Sequence, residues 1–378
     1  MKISMIGHKA VPSSKGGIEA VLTNVCPILA EKGIEVVCYN RTSDKVEDEY
    51  ANDIKNGTYK GVVLKKAGTL KIRRISALLS SFTASAACIF NKSDIIHFHA
   101  EGPSGAMFLP KLFGKKCVAT VHGLDWQREK WKNGIGAKYI KFGERMIAKY
   151  ADGIIVLNRS TKEYFKETYR RDTQIIYNGV SKPVIIDDDI IYKKFGLKKD
   201  TYICVVARLT EEKGIHYLID AFNRIKTDKK LVICGEASDS NGYVKRIKTA
   251  AFENERIVFT GFVSGATLAS VYSNAYLVCQ TSNIEGMSVS LLEALAYSNA
   301  VLCSDIPENS DVCGNSAVYF RRGDTDDLKE KLEMMLNNKD VVENLRLTAS
   351  QSVLSKYSWE KTADETAEFY KNILKGER

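Results

Sequence analysis

The stretch AYLVCQTSNIEGMSVSLLEALA, residues 275–296, decides the fold class of this chain. An apolar run of strand character ends at Ser282, a glycine turn follows at Gly286, and the remaining residues have the apolar periodicity of a helix. Open α/β sheets bind their ligands at the carboxyl ends of their strands. We therefore expect the turn and the start of the helix to border a binding site.

Two carboxylates, Glu285 and Glu293, bracket this turn and helix. Eight residues of helix rise about 12 Å, so the two side chains are spaced to hold different parts of one elongated ligand, such as a nucleotide-sugar. An ordinary surface helix with a capping glutamate and a solvated glutamate would contain the same residues. The segment by itself leaves both interpretations open.

A second motif is VVARLTEEKGIHYLIDAF, residues 205–222, in which a β-rich run ends at Arg208 and a helical pattern begins after Lys213. Arginine presents a planar fork to phosphate oxygens and lysine presents a compact point charge. This pair on one loop can therefore neutralise a diphosphate. Two solvated surface charges are the alternative, which the glutamate pair in the same half of the chain makes less favoured.

Together the two motifs resemble the retaining family-four glycosyltransferases of the GT-B fold. In that family the arginine and the lysine bind the donor diphosphate, the first glutamate contacts the donor sugar and the second contacts the ribose. The resemblance assigns these roles, in the same order, to Arg208, Lys213, Glu285 and Glu293.

The same resemblance implies further donor contacts. Backbone at the ends of the central strands of the second domain usually contacts the nucleotide base in this family. The corresponding positions are Gly235 and Glu236 after LVIC, and Phe262 and Val263 in FTGFV. The loop between the two glutamates adds Gly286, Met287 and Ser288.

The N-terminal half supports the same family from independent residues. KISMIG, residues 2–7, predicts a buried strand, and after a loop Gly16 and Gly17 open a predicted helix. Backbone N–H groups at a glycine-rich helix start favour anions, so both glycines are predicted to face a phosphate. A plain turn that requires positive φ is the alternative. A nicotinamide site is disfavoured, because no GxGxxG follows Gly7 and the second strand ends in Arg41.

The first 41 residues are most similar to a bacterial subgroup that includes capsule and cell-wall rhamnosyltransferases. The resemblance extends over essentially the whole chain and is specific for fold and reaction class more than for the sugar. It implies retaining transfer from a nucleotide-diphosphate sugar to a hydroxyl of a surface glycan, free or lipid-linked. No cofactor and no metal ion are predicted, since the Arg–Lys pair replaces a metal as counter-charge. A GT-B nucleotide-sugar epimerase and a non-catalytic glycan-binding relative remain open as alternatives.

Histidines mark the predicted acceptor side. His122, in TVHGLDW, ends a strand, and the resemblance places it beside the donor sugar as a catalytic group together with Arg208, Lys213 and Glu285; a satisfied structural histidine is the alternative. His97 and His99 share one strand face by the period of two. An HxH pair can bind zinc, but no third ligand at a recognisable spacing follows, which favours a core or site-lining role. The following segment, 101–104, is predicted to be a turn where the acceptor enters.

The length of 378 residues exceeds the usual ceiling for one core, so two domains are expected. Hydrophobic residues make up 44% of the chain and charged residues 27%, which is ordinary for a soluble globular protein. No secretory signal and no apolar run of membrane-spanning length is visible. The nine cysteines form no CxxC pair and lie mostly in apolar runs, which favours reduced, buried thiols in a cytoplasmic protein.

Short β-branched runs alternate with helical segments along the chain, which predicts parallel sheets with crossover helices. Strands are expected at 2–7, 35–40, 62–67, 94–99, 116–122, 153–158, 173–177, 201–207, 230–235, 256–260, 275–281, 300–304 and 316–320. Helices in the first half are expected near 17–32, 72–91, 103–113, 135–150 and 160–170. The acidic runs 187–189 and 325–327 are interpreted as a solvated linker and a helix N-terminus.

Two doubly wound, Rossmann-like domains facing a central cleft are therefore predicted. Residues 1–178 form the acceptor-side domain and residues 179–357 the nucleotide-sugar-binding domain, with the hinge in the turn-rich stretch 178–183. By family resemblance, the last segment, 358–378, contains a helix that crosses back to the first domain.

The net charge of +9 calls for an acidic partner. Cations concentrate at 65–74, 111–117 and 127–132, the last segment lying beside Trp126 and containing Trp131. Nucleic acid is disfavoured because no nucleic-acid motif accompanies the charge. A peripheral position at the inner face of the membrane fits better, with a solvated surface as the alternative.

Overall fold

The computed structural model describes residues 1–69, 76–128, 134–237 and 241–376. Its contacts divide the chain into two compact domains. The first domain comprises Met1–Gly179 with Ser358–Arg378, and the second comprises Val180–Tyr357.

One mixed sheet organises the first domain. Its strands are β1 (Lys2–Ile6), β2 (Glu35–Arg41), β3 (Ile54–Lys55), β4 (Thr58–Tyr59), β5 (Val62–Ala67), β6 (Ile95–His99), β7 (Lys116–Val121), β8 (Gly153–Val156) and β9 (Gln174–Ile175). Their spatial order is β3-β4-β5-β2-β1-β6-β7-β8-β9. All neighbouring strands in the part of this order that runs β5-β2-β1-β6-β7-β8-β9 are parallel. Strand β4 is antiparallel to both β3 and β5.

The helices of the first domain are α1 (Gly17–Glu31), α2 (Ser76–Phe90), α3 (Glu101–Ser104), α4 (Phe108–Leu112), α5 (Ile135–Tyr150), α6 (Arg159–Tyr169) and, at the C-terminal end, the last helix, Trp359–Lys375. The last helix packs against α1. Its Tyr370 is fully buried in this domain. The central strands β6 and β8 are buried along their whole length, so they are continuously apolar or neutral instead of alternating.

The second domain has a six-stranded sheet. Its strands are β10 (Tyr202–Val206), β11 (Lys230–Cys234), β12 (Ile257–Gly261), β13 (Leu277–Gln280), β14 (Val301–Ser304) and β15 (Val318–Phe320). All pairs are parallel, in the order β12-β11-β10-β13-β14-β15. The sheet therefore has the strand order of a Rossmann dinucleotide-binding fold, which reverses direction between β10 and β13.

Helices flank this second sheet and cover its apolar core. They are α7 (Asp189–Phe195), α8 (Ile215–Asn223), α9 (Asn241–Ala251), α10 (Gly265–Asn274), α11 (Val289–Ala296), α12 (Pro307–Cys313), α13 (Thr325–Asn337) and α14 (Lys339–Leu354), so the last helix of the chain is α15. Side chains of α8 and α13 pack with the central strands in one buried apolar cluster.

Every predicted strand is present, with ends displaced by a few residues, and the predicted doubly wound α/β fold is confirmed in both domains. Two local predictions for the segment after β6 are wrong. The segment 101–104 is helical, and the helix predicted at 103–113 is two short helices, α3 and α4. Pro103 is tolerated in the first turn of α3, where its missing N–H would have no helical partner.

The β3–β4 hairpin was not predicted, because strands of two residues leave no periodic signal. The acidic run 187–189 is not entirely linker, since α7 begins at Asp189. The second acidic run does start a helix: the Asp324 carboxylate accepts hydrogen bonds from the N–H groups of Asp326 and Asp327. All nine cysteines are buried and unpaired.

No helix in the described ranges combines the length and the apolar character that crossing a bilayer requires.

Candidate active site

The loops that follow β10 and β13 carry the predicted donor-binding residues. These strands are parallel neighbours at the point where the strand order of the second sheet reverses. Loops on the two sides of such a point diverge and leave room for a ligand. Arg208 and Lys213 lie on the first loop, and Glu285 lies on the second.

Lys213 and Glu285 form an ion pair, with 2.5 Å between Lys213 Nζ and Glu285 Oε1. Their side chains are only 13% and 9% exposed. Gly214 (φ +63°) is required where the loops meet, because a Cβ there would lie 2.1 Å from the carbonyl oxygen of Thr281. Two motifs that are distant in sequence are therefore in direct contact.

Two further side chains hold the same carboxylate oxygen. Gln280 Nε2 donates to Glu285 Oε1 at 2.8 Å, and Ser282 Oγ donates to it at 2.6 Å. Three donors on one oxygen stabilise the ionised carboxylate and fix its position. Gln280 and Ser282 were not among the predicted site residues, although polar residues at the end of a buried apolar strand are a usable signal.

Arg208 differs from Lys213. It is partly exposed and directly follows Ala207 at the carboxyl end of β10. Within the described residues, its guanidinium forms neither an ion pair nor a hydrogen bond. The loop therefore presents one cation that is already paired and a second that is available to an anionic ligand.

Glu293 lies on α11, where its Oε2 accepts a hydrogen bond from Tyr272 Oη at 3.3 Å. Burial raises the pKa of Glu293 to about 7, and the bond from Tyr272 opposes this shift. The helix starts only at Val289, with Ser288 as its N-cap. Glu285 is therefore outside the helix. The prediction that eight residues of helix separate the two carboxylates is wrong, because only the residues from Val289 onwards are helical.

The residues between the two glutamates hold the loop and the start of α11 in place. Gly286 and Met287 are buried. The Ser288 hydroxyl accepts from the N–H of Leu291 at 3.3 Å and from Gln280 Nε2 at 2.9 Å. Gln280 thus links the carboxylate of Glu285 to the start of α11.

The predicted base-contacting residues lie at the carboxyl ends of neighbouring strands of the second sheet. Gly235 (φ +147°) follows β11, and a Cβ there would lie 1.9 Å from the carbonyl oxygen of Ala207, beside Arg208. Glu236 is exposed. Phe262 and Val263 follow β12 and are partly buried.

In the first domain, strand order reverses between β1 and β6, and histidines collect at that edge. His122 Nε2 and His99 Nδ1 are 3.0 Å apart. The rings of His97 and His99 lie on one face of β6 with centroids 4.2 Å apart. Nδ1 of His97 hydrogen-bonds Tyr370 Oη at 2.6 Å and its Nε2 hydrogen-bonds Thr120 Oγ1 at 2.7 Å, so His97 is a satisfied core residue.

These histidines are neutral at neutral pH. Burial lowers the pKa of His97 and of His122 to about 3, and the Arg128 charge adds to the effect on His122. Burial also lowers the pKa of His8, which follows β1, to about 4, and that of His99 well below its usual value. In the ranges that the structure describes, no group of three or more His, Cys, Asp or Glu side chains could hold a metal ion.

Gly16 and Gly17 stand at the start of α1, as the sequence predicts. The Glu19 carboxylate lies beside Gly16, since a Cβ on Gly16 would lie 2.0 Å from Glu19 Oε2. Glu19 Oε1 also accepts a hydrogen bond from the N–H of Lys9 at 2.7 Å. An anion of the chain itself therefore lies near this helix start, and phosphate binding there stays a prediction.

Two family models match the chain. The model for glycosyltransferase family 4 matches residues 15–182, and the model for glycosyl transferases group 1 matches residues 187–352. Together they span most of both domains.

Similar proteins include two uncharacterized glycosyltransferases of Methanocaldococcus jannaschii. MJ1607 is 28% identical over 58% of this chain and 59% of its own length. MJ1178 is 25% identical over 95% of both chains.

Solved structures share the fold. A sucrose-phosphate synthase from Thermosynechococcus elongatus superposes with a TM-score of 0.85 at 18% identity, covering 99% of both chains. Anabaena HepE, solved in complex with UDP-glucose, has a TM-score of 0.78 at 14% identity and covers 98% of this chain and 100% of its own. The chain is therefore a glycosyltransferase of the GT-B fold, with a family 4 domain followed by a group 1 domain.

Proposed function

We propose that the protein is a retaining glycosyltransferase that moves a sugar from a nucleotide-diphosphate donor to a hydroxyl of a surface glycan. The proposal rests on the residues at the reversal point of the second sheet: Lys213 is ion-paired with Glu285, and Arg208, on the same loop as Lys213, has a guanidinium without a partner among the described residues. A diphosphate there meets two cations, and a sugar bonded to it meets a fixed carboxylate. HepE, which has the same fold, was solved with UDP-glucose.

The chemistry needs charge stabilisation more than a nucleophile. The bond between the anomeric carbon and the diphosphate oxygen breaks, and the acceptor oxygen bonds to the same face of the sugar. The acceptor proton passes to the departing diphosphate. Arg208 and Lys213 stabilise the negative charge that develops on this leaving group, which is usually the largest catalytic contribution. Glu285 orients the sugar and Glu293 the ribose.

The first domain supplies the acceptor side in this proposal. Its sheet edge presents buried, neutral hydrogen-bonding groups around His122, which suit an uncharged sugar hydroxyl better than a phosphate. A surface glycan of the capsule or cell-wall type, with rhamnosyl transfer as one candidate reaction, follows from the similarity of the first 41 residues to that subgroup.

We also propose that a small surface of the first domain contacts anionic lipid, which would bring the enzyme to a lipid-linked acceptor. This surface, which we call the end patch, consists of Phe90, Leu112 and Phe113, which are 87%, 76% and 62% exposed. Lys115 Nζ donates to the carbonyl oxygen of Asn91 at 2.9 Å, which ties the end of α4 to the end of α2. Exposed aromatic and apolar side chains beside lysines favour a negatively charged bilayer surface.

Two of the predicted basic segments contribute less to this surface proposal. Residues 70–74 of the segment 65–74 and residues 129–132 of the segment 127–132, including Trp131, lie outside the described residues. The third segment, 111–117, contains part of the end patch.

Vesicle flotation tests the lipid contact. Replacing all three apolar residues of the end patch by serine should abolish binding to vesicles of phosphatidylglycerol and phosphatidylcholine. Phe252→Ser in the second domain, where Phe252 is 86% exposed, is the matched control and should bind like wild type. Equal binding of the triple variant and wild type would refute this surface.

A donor screen tests the reaction. Purified protein is incubated with UDP-, GDP- and dTDP-sugars, with and without glycan acceptors, and the products are analysed by mass spectrometry and by NMR of the anomeric proton. Transfer with retained anomeric configuration supports the proposal. An isomerised donor in the absence of acceptor would favour the epimerase instead. Binding of glycan without turnover of any donor would favour the non-catalytic relative.

A further inference from the structure

Two side-chain contacts join the ends of β6 and β7 in the first domain. His99 at the end of β6 contacts His122 after β7, with 3.0 Å between Nδ1 and Nε2. Two residues further along, Glu101 Oε1 accepts a hydrogen bond from the N–H of Asp125 at 3.0 Å. The segments 99–101 and 122–125 are thus held together at two points, His122 itself and Asp125 three residues later.

The backbone directly before Glu101 is strained. Ala100 has φ +73° and ψ 164°, a region that a residue with a Cβ rarely adopts. Gly143 of α5 lies so close to α3 that a Cβ there would be 1.9 Å from the carbonyl oxygen of Glu101. Glu101, the first residue of α3, is fully buried. Such an outlier beside a candidate site suggests a functional purpose for the buried carboxyl.

Glu101 is surrounded by groups that favour its neutral form. Burial and the nearby Asp125 raise the pKa of Glu101 well above its usual value, and Glu144 on α5 adds to the shift. Asp125 is paired with Arg128, and Glu144 is paired with Lys141 and accepts from Tyr164 Oη and Tyr169 Oη. Among the described residues, Oε2 of Glu101 has no hydrogen-bond partner although it is buried. Such a buried polar atom costs folding free energy, so this carboxyl does not serve the stability of the fold.

We infer that Glu101 is a positioning residue, which holds the loop 122–125 through the Asp125 N–H and thereby fixes the orientation of the His122 imidazole. The catalytic part of this inference rests on the proposed function, because it takes His122 to contact the reacting sugar. The structural part does not, because the orientation of His122 is measurable in the ligand-free protein.

The most selective test removes the Asp125 N–H, which donates the hydrogen bond, and leaves Glu101 in place. Asp125→Pro deletes the N–H that Glu101 accepts, and Asp125→Ala keeps that N–H while deleting the same side chain. Proline fits this position, since Asp125 starts a 3₁₀ turn and Leu124 before it is extended (φ −80°, ψ 90°). The two variants therefore differ in the hydrogen bond at issue.

The readout is the ¹⁵N–¹H imidazole spectrum of histidine-labelled protein, in which the His122 signals are identified by their loss in His122→Gln. We expect the His122 signals to move in Asp125→Pro and to stay near their position in Asp125→Ala. Turnover should fall on the order of 10²-fold in the proline variant relative to the alanine variant, the usual cost of displacing a group near the reacting atoms by about 1 Å. The KM for the donor should change little.

Variants of the carboxyl give an independent check. Glu101→Ala should reproduce the spectrum of Asp125→Pro, and Glu101→Gln should restore the wild-type signals, since its amide oxygen still accepts the Asp125 N–H. Glu144→Gln is the matched control, because Glu144 is equally buried but bonds to α5 and α6. It should leave the His122 signals in place.

Identical His122 signals in folded Asp125→Pro and Asp125→Ala would overturn the inference, as would an Asp125→Ala spectrum that already matches Asp125→Pro. If Glu101→Ala fails to fold, the Asp125 pair decides by itself. Full activity of His122→Ala would instead contradict the role of His122 in the proposed function, while the spectra would still report on the contact.

Discussion

The carboxyl edges of the two sheets use opposite chemistry. In the second domain the edge is charged: Lys213 and Glu285 are ion-paired, and Arg208 has no partner within the described residues. In the first domain the histidines at the edge are neutral: burial lowers the pKa of His8, His99 and His122.

The difference indicates what each edge can bind. Fixed cations are suited to a diphosphate, because ionic hydrogen bonds to phosphate are strong and directional. Neutral imidazoles are suited to hydroxyl groups, because each ring both donates and accepts a hydrogen bond. The fold is the same in both domains, and the residues after the strands create the contrast.

The largest expected effect comes from removing the cations of the second domain. Arg208→Ala and Lys213→Ala should each lower turnover on the order of 10²–10³-fold, because each removes charge stabilisation from the leaving group. Their effects on folding should differ. Thermal and denaturant unfolding should show Arg208→Ala near wild type and Lys213→Ala destabilised by about 1–3 kcal/mol, since Glu285 loses its buried partner.

This expectation corrects a simpler one from the sequence. A solvated Lys213, the alternative that the sequence left open, could be removed with little effect on stability, but its side chain is mostly buried and ion-paired. Adding Glu285→Gln to Lys213→Ala should recover part of the lost stability. Wild-type turnover of either single variant would refute the role of that cation.

A smaller effect should separate the two glutamates. Glu293→Gln should weaken binding of the free nucleoside diphosphate by about tenfold, as expected for one charge-assisted hydrogen bond. Glu285→Gln should leave that binding nearly unchanged and reduce turnover, since its partner is the sugar. Calorimetry with the nucleotide, followed by kinetics with donor and acceptor, measures both. Equal weakening of nucleotide binding in the two variants would contradict the division of roles.

The buried His8 of the first domain should make the free energy of unfolding depend on pH in the acid range. The folded-state pKa of His8 is about 4, below its ordinary value of 6.5, so unfolding takes up a proton between these pH values. The contribution of neutral His8 to the free energy of unfolding is complete above pH 6.5 and is lost as the pH falls towards 4. His8→Gln should reduce the slope of unfolding free energy against pH by up to about 1.4 kcal/mol per pH unit between these values.

The half-buried His216 of the second domain provides the control for this titration. His216→Gln should change the slope less, because partial exposure perturbs a histidine less than full burial. An unchanged slope in His8→Gln would show that His8 titrates normally in the folded protein.

The smallest expected effect is that of a chelator. Because two fixed cations oppose the diphosphate, activity should persist in excess EDTA within about twofold, whereas a metal-dependent site would lose its main charge stabilisation. Loss of activity that magnesium or manganese restores would contradict this scheme.

Most of the fold was predictable because its signals are local. Apolar β-branched runs and glycine turns mark the parallel strands, and both sheets contain every strand that they predict. The β3–β4 hairpin and the helix α3 were not predictable, because a two-residue strand and a four-residue helix carry no periodic pattern.

The site was only partly predictable. Arg208, Lys213 and Glu285 could be selected from motifs, but the sequence does not show that Lys213 and Glu285 are paired. That contact depends on neighbouring strands whose order the sequence does not state. The support from Gln280 and the strained approach of Glu101 likewise depend on tertiary contacts between distant segments.

Calorimetric binding of UDP, GDP and dTDP to three proteins tests the central contrast most directly. We expect the nucleotide bound by wild type to bind on the order of 10²-fold more weakly to the Arg208→Ala, Lys213→Ala double variant, which lacks two charge-assisted contacts to phosphate. We also expect nearly unchanged binding to folded His122→Ala, whose neutral imidazole belongs to the acceptor side. Wild-type affinity in the double variant, or loss of nucleotide binding in His122→Ala alone, would contradict the account.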